Sequence, residues 1–113
     1  MTDQLHDVSV IGGGPAGMFA AFYAGLHELD TQLIEALPQL GGQVRALYPE
    51  KQIWDVAGKA GVTGEQLISD LEEQLSHAKI NYQLSTKVTE VVKDQDVTLR
   101  SLVTWGLFVL KRL

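Results

Sequence analysis

The feature that most constrains this chain is the run VSVIGGGPAGMFAAFYAG near its start, where a β-branched stretch stops at glycines and an alanine-rich apolar stretch follows. Asp7, Val8, Ser9, Val10 and Ile11 carry the pattern of a buried parallel strand. The glycines then turn the chain. Pro15 suits the first turn of a helix, where its missing N–H is not needed, and Met18, Phe19, Ala20, Ala21, Phe22, Ala24 and Leu26 continue that helix to about residue 28. Gly17, Ala21 and Ala24 put small side chains on one face, so the helix can approach a sheet closely. A second strand of the same kind follows at Thr31, Gln32, Leu33, Ile34 and Glu35. Strand, helix and strand within about thirty residues predict an α/β fold with a parallel sheet and flanking helices in three layers.

The length of 113 residues leaves room for one domain with a modest core. A composition of 45% hydrophobic and 20% charged residues is that of a globular chain rather than a disordered one. The net charge of -5 argues against a nucleic-acid partner, which needs a clustered basic surface. There are no cysteines, which excludes disulfides, thiolate metal sites and a Cys-x-x-Cys redox step within these residues, so any redox chemistry must be borrowed from a cofactor. No secretory signal is visible at the N-terminus, and no stretch reaches the roughly 18 apolar residues that span a bilayer; a cytoplasmic location without membrane attachment is expected. His6, His27 and His77 have no metal or nucleophile partner in view, and His77 suits a helix C-terminus. No metal site and no catalytic residue is assigned.

Residues 36–63 read as a long irregular connection rich in Gly and Pro, and loops of that length are usually functional or disordered. Its aromatic residues favour function. Thr63-x-x-Gln66 resembles a capping box, and Leu67, Ile68, Leu71 and Leu75 recur at helical spacing with Asp70, Glu72 and Glu73 turned outward, predicting a helix over 64–78. Residues 80–84 and 87–92 read as two further strands. The last twelve residues are strongly apolar with Lys111 and Arg112 near the end, and fit neither a period of two nor a good amphipathic helix. No internal repeat is seen.

Gly12-x-Gly14-x-x-Gly17 matches the dinucleotide-binding fingerprint, in which each glycine answers a different need. Gly12 permits the tight turn, Gly14 clears a side chain where a pyrophosphate would touch backbone, and Gly17 lets helix and strand pack closely. Phosphates would meet the first turn at Pro15, Ala16 and Gly17, at the positive end of the helix dipole. Glu35 stands eighteen residues past Gly17. A carboxylate there can accept hydrogen bonds from both ribose hydroxyls and would repel a 2'-phosphate, which points to FAD or NAD rather than NADP. The plainer alternative for Glu35 is a solvated acid at a strand end.

The segment EALPQLGGQVRALYPEKQIWDVAG, together with VIGGGPAG, resembles the FAD-binding front end of the thioredoxin-reductase-like ferredoxin-NADP reductases. The resemblance runs from about residue 7 to residue 94, and Leu-Gly-Gly-Gln followed by Tyr-Pro-Glu-Lys is more specific than the glycine fingerprint. Thioredoxin reductases proper share the Gly-Gly-Gln but normally follow it differently. The resemblance implies a Rossmann-like FAD-binding domain. By that resemblance Glu35 would hold the FAD ribose, Gln43 and Tyr48 would lie along the flavin side, Val88 would present backbone to the adenine, and Gly42 would belong to the same cofactor site. The alternatives are a loop amide bonding its own backbone for Gln43, a core aromatic for Tyr48 and a core strand residue for Val88. Trp54 reads as a packing aromatic, and Arg45 and Lys51 as solvated charges rather than attractors of an acidic partner.

For whole members of this family the resemblance implies hydride transfer from NADPH to FAD and then single electrons to ferredoxin or a flavodoxin-like acceptor, with a possible homodimer. Past residue 96 the pattern departs. A hairpin, a returning strand with an Ala-Thr-Gly turn, an NADPH-binding domain and a final FAD segment are expected there, and TLRSLVTWGLFVLKRL stands instead. The expectation is therefore the N-terminal part of an FAD-binding domain over 1–96, incomplete at its C-terminus. A divergent apolar tail over 97–113, not a domain, would come from a truncated product with an altered frame. A thioredoxin-reductase-like disulfide oxidoreductase fragment and a non-catalytic nucleotide-binding module are the alternatives.

Overall fold

The structure, a computed structural model, describes residues 6–47, 49–91, 97–104 and 107–112. Strand β1 (Val8–Ile11) leads through helix α1 (Pro15–Leu26) to β2 (Thr31–Ile34), as the strand, helix, strand pattern demands. Helix α2 (Gly42–Leu47), the short strands β3 (Gln52–Ile53) and β4 (Val62–Thr63), helix α3 (Gly64–Ser76), β5 (Ile80–Gln83), β6 (Val97–Thr104) and β7 (Leu107–Arg112) follow. The main sheet has the order β5-β2-β1-β7-β6. Its first three strands are parallel, with Val8 opposite Thr31 and Thr31 opposite Ile80, because each helical crossover returns the chain in the same direction.

The sheet is not parallel throughout. β7 runs antiparallel to β1, pairing Val8 with Lys111 and Ile11 with Phe108, and β6 folds back on β7 with an irregularity between Arg100 and Thr104. The terminal segment, to which sequence periodicity assigned no element, thus forms a hairpin along one side of β1. Backbone pairing onto an existing strand fixes such a segment even where its side chains follow no clean period.

The core is built from Val8, Val10 and Leu33 of the sheet with Met18 and Ala21 of α1 and Leu67, Ile68, Leu71 and Leu75 of α3. Both long helices therefore cover the same face. Ser9, Ile11, Gln32 and Ile34, which alternate with the buried residues, are only partly buried. The expected three layers reduce to two among the described residues, and β1 and β2 alternate instead of being buried on both faces. α1 ends where Glu28 adopts a left-handed conformation at φ 59. Thr63 caps α3 by accepting from the Gln66 amide at 3.1 Å, but the Gln66 side chain turns to Asp70 at 2.8 Å, so only half of the capping box forms.

The long connection is less irregular than its composition implies, since it holds α2, the β3–β4 pair and a bridge between Val56 and Lys59. The strand expected over 87–92 is absent from residues 87–91; residue 92 lies outside the described residues. Ser85, at φ 51, turns the chain, and Thr86 then donates its amide to the Glu35 carbonyl at 2.9 Å. The segment is thereby held across the end of β2 rather than extended along a sheet edge. No described helix is long and apolar enough to cross a membrane.

Gly25 was not singled out by sequence, yet a Cβ there would lie 2.8 Å from Ala78 Cβ and 2.9 Å from Ile80 Cδ1. Helix propensity alone favours alanine over glycine by about 1 kcal/mol, whereas overpacking costs about 1–3 kcal/mol. Gly25→Ala is expected to destabilise the chain, read as a lower urea midpoint; a raised midpoint would show that the α1 approach to the β5 entry is slack.

Candidate functional site

The carboxyl end of β1 opens into the glycine turn. Gly12 adopts φ 111, which strongly favours glycine, and its amide bonds the Ile34 carbonyl at 2.8 Å, tying the turn to the end of β2. Gly13 is buried, and a Cβ on it would lie 2.8 Å from Leu40 Cδ2 and 3.1 Å from Glu35 Cβ. At Gly14 the surroundings change, since a Cβ there would meet nothing within 4 Å. Gly14 caps α1 with φ -74 and no side chain closes the helix start, where Pro15 is the first helical residue. Ala16 is exposed and Gly17 buried. The open surface at Gly14 therefore faces uncapped helix N-terminus, where backbone dipoles favour an anion.

Glu35 follows β2 and is only 8% exposed. Its Oε1 accepts the Gly13 amide at 2.8 Å and its Oε2 the Leu37 amide at 2.7 Å. The solvated-acid alternative therefore does not hold. Each carboxylate oxygen retains a further acceptor position, so hydroxyl donors arriving from the open side still have partners. A buried carboxylate with two backbone donors is also stiff, because rotating it would strand two N–H groups.

A second glycine turn lies against the first. The Gly41 amide donates to the Gly13 carbonyl at 2.8 Å, and Gly42, at φ 55, would bring a Cβ to 3.2 Å from Gly14 Cα. Gln43, second in α2, is exposed and makes no side-chain hydrogen bond among the described residues, so the reading of a loop amide tied to its own backbone is not what is seen. Val88 is half-buried in the extended segment that Thr86 and Ser85 attach to the Glu35 and Leu37 carbonyls. Tyr48 lies outside the described residues.

Gly12, Gly14, Glu35 and Gly42 thus meet at one place, with Pro15, Ala16 and Gly17 opening the helix beside them. Gly13, Leu37 and Gly41, which sequence reasoning passed over, supply the bonds that hold the place together. The doubled glycines at 13 and 41, each adjoining a singled-out glycine, were the available clue. Arg45 is not a free solvated charge, since its guanidinium pairs with Glu72 at 2.6 Å. Trp54 is largely exposed while its ring covers Gly61, where a Cβ would come within 2.8 Å of it.

A groove of about 770 Å³ runs from Pro15 and Ala16 between α1 and α3 to the turn at residues 55–59. It touches the glycine turn only at those two residues. Asp55, Asp70, Glu73, Lys59 and His77 give it a polar margin. The Gln66 amide and then Lys59, whose Nζ lies 3.2 Å from Asp70 Oδ2, hold the Asp70 carboxyl below its ordinary 3.8. No cluster of metal-ligating side chains occurs among the described residues.

Two outcomes follow from these contacts. Glu35→Gln puts an amide donor opposite a backbone donor and is expected to lower unfolding stability by about 1–3 kcal/mol, read by urea denaturation; unchanged stability would show that the two amides find other acceptors. Asp70, with its pKa depressed on folding, contributes stability above pH 3.8 that is lost as pH falls through the lower folded value. In a carboxyl NMR titration its midpoint should lie below 3.8 and move up in Gln66→Ala. A midpoint indifferent to Gln66 would discard that cause.

The chain is 64% identical over 98 residues to a ferredoxin-NADP reductase of Limosilactobacillus reuteri, a match covering 87% of this chain and 30% of that protein. It is 50% identical over 97 residues to one from Geobacillus thermodenitrificans, covering 86% of the chain and 29% of the relative. The chain therefore spans about 30% of the length of the curated relatives it matches. Among solved structures, thioredoxin reductase from Streptococcus pyogenes superposes with a TM-score of 0.71 at 27% identity, covering 85% of this chain and 30% of that one. Thioredoxin reductase from Lactococcus lactis gives 0.70 at 29% identity, covering 95% and 33%. Residues 6–106 match the pyridine nucleotide-disulphide oxidoreductase family, and the chain belongs to that family.

Proposed function

We propose that this chain is the adenosine and pyrophosphate end of an FAD site in a ferredoxin-NADP reductase. The observation that carries the reading is the convergence of an open glycine at an uncapped helix start with a fixed, buried carboxylate: Gly14 has free space where a Cβ would stand, and Glu35 is locked beside it by the Gly13 and Leu37 amides. These residues fit FAD. The Gly12–Gly14 turn and the first turn of α1 would take the pyrophosphate, and Glu35 the ribose hydroxyls. Gly42 keeps the neighbouring turn close enough to line the same crevice. Gln43, Tyr48 and Val88 remain assigned through the resemblance, to the flavin side and to the adenine.

FAD held by these residues would supply the hydride and single-electron chemistry of the whole reductase. What these residues do is bind and orient. The Gly14 surface admits phosphate oxygens to backbone distance, the helix start favours their charge, and the Glu35 carboxylate fixes the ribose and disfavours a 2'-phosphate. NADPH as hydride donor, ferredoxin or a flavodoxin-like protein as acceptor, a homodimer and a cytoplasmic setting belong to the whole reductase. NADPH and ferredoxin rest on the resemblance and on the names of the relatives, the flavodoxin-like acceptor and the homodimer on the resemblance alone, and the cytoplasmic setting on the sequence expectation. A second reading, a thioredoxin-reductase-like disulfide oxidoreductase, is favoured by the solved structures it resembles. A Cys-x-x-Cys pair elsewhere in the whole protein would favour it.

Gly14 gives the cleanest test, because its φ of -74 and the empty space at its Cβ let a side chain enter without backbone strain. The purified chain, incubated with FAD and desalted, is expected to retain the flavin absorption bands. Gly14→Val is expected to weaken FAD binding at least about tenfold while changing unfolding stability by no more than about 1 kcal/mol. A colourless wild-type chain with no heat of FAD binding in calorimetry, or equal FAD affinity in Gly14→Val, would reject the site.

A further inference from the structure

The turn that faces Gly14 is held from outside by one side chain. Arg45, in α2, pairs with Glu72 of α3 at 2.6 Å and donates a longer bond, 3.4 Å, to the Leu40 carbonyl. Its own amide bonds the Gly41 carbonyl at 3.3 Å. Gly41, at φ 114, has no room for a side chain, since a Cβ would lie 2.7 Å from Arg45 Cβ and 3.1 Å from Ile68 Cγ2. On its other side Gly41 donates to the Gly13 carbonyl at 2.8 Å. Arg45 therefore sits behind the second glycine turn, with α3 as its anchor and the first glycine turn on the far side. Both partners of the ion pair are partly shielded, the Arg45 side chain being 25% exposed and that of Glu72 43%.

The geometry points to Arg45 as a positioning residue for the dinucleotide crevice: through Glu72 and the Leu40 carbonyl it fixes the Gly41–Gly42 turn against Gly13 and Gly14. This rests on the FAD reading for its ligand, but not for the clamp itself. Arginine suits the task because its planar fork can serve two acceptors in fixed directions, whereas a lysine ammonium on a flexible stem holds one at a time. Without the clamp the turn keeps the Gly41 bond to the Gly13 carbonyl but loses its side-chain tie to α3 and to the Leu40 carbonyl, so it is held less firmly against Gly14. The crevice would then have to be ordered by the ligand, and ordering on binding lowers affinity.

The test compares the purified chain with Arg45→Gln, Arg45→Lys, Glu72→Gln and the double variant Arg45→Gln with Glu72→Gln. Two readouts are taken: hydrogen exchange of the Gly41 amide without FAD, and the FAD dissociation constant. In Arg45→Gln the Gly41 amide is expected to exchange about three- to tenfold faster while β1 and β2 amides keep their rates, and the FAD dissociation constant to rise by a similar factor. Glu72→Gln should match it, the double variant should lose no more than either single one, and Arg45→Lys should recover part of both effects. Unchanged Gly41 exchange in Arg45→Gln, or equal acceleration at every amide, overturns the clamp. Faster Gly41 exchange with an unchanged FAD dissociation constant overturns the positioning role. A wild-type chain that takes up no FAD rejects the cofactor reading instead, and leaves the clamp to be decided by exchange alone.

Discussion

The arrangement of the site depends on one carboxylate receiving two backbone amides. Glu35 sits past the end of β2, Gly13 past the end of β1 and Leu37 in the loop beyond, and the two bonds from Glu35 stitch the three together. A buried carboxylate without donors would be costly, and a buried turn amide without an acceptor nearly as much, so each group makes the other's burial possible. Everything on the open side inherits its position from this pair. The glycine turn is held at the mouth of the sheet, the segment around Thr86 hangs from the Glu35 carbonyl, and Gly41 rests on the Gly13 carbonyl. The same side chain that orders the scaffold is the one that the FAD reading assigns to a ribose.

Much of this was legible in the sequence because it depends on short-range rules. The β1–α1–β2 unit follows from apolar runs broken by glycines, and α3 from Leu67, Ile68, Leu71 and Leu75 at helical spacing. The meeting of Gly12, Gly14 and Glu35 follows from that unit once the strands are parallel. What was not legible depends on which segments meet across distance. Nothing in residues 87–91 shows that Ser85 reverses the chain, because a positive φ at serine has no composition of its own. The partnership of Arg45 with Glu72 was equally hidden, since a surface charge and a paired one read alike until the helices that carry them are placed.

α1 and α3 pack together on one face of the sheet, so the core lies to that side, while the surface at Gly14 is open where a Cβ would stand. Phe19, Tyr23 and Leu26 remain exposed along α1, with the Phe19 ring in tilted contact with those of Phe22 and Tyr23. Exposed apolar area of this kind promotes association.

The pairing of β7 with β1 has a consequence in time. Val8 and Ile11 stand opposite Lys111 and Phe108, so β1 waits about a hundred residues of synthesis for this neighbour. Non-local pairing of this kind slows folding, because the loop between the partners must be closed before the contact returns anything. While the chain emerges from the ribosome, β1 and the glycine turn can be fixed on one side by β2 but stand as a bare sheet edge on the other. An edge of that sort is a template for foreign strands. The strand that bears the fingerprint thus has one side unprotected until β7, about a hundred residues further along, has been made.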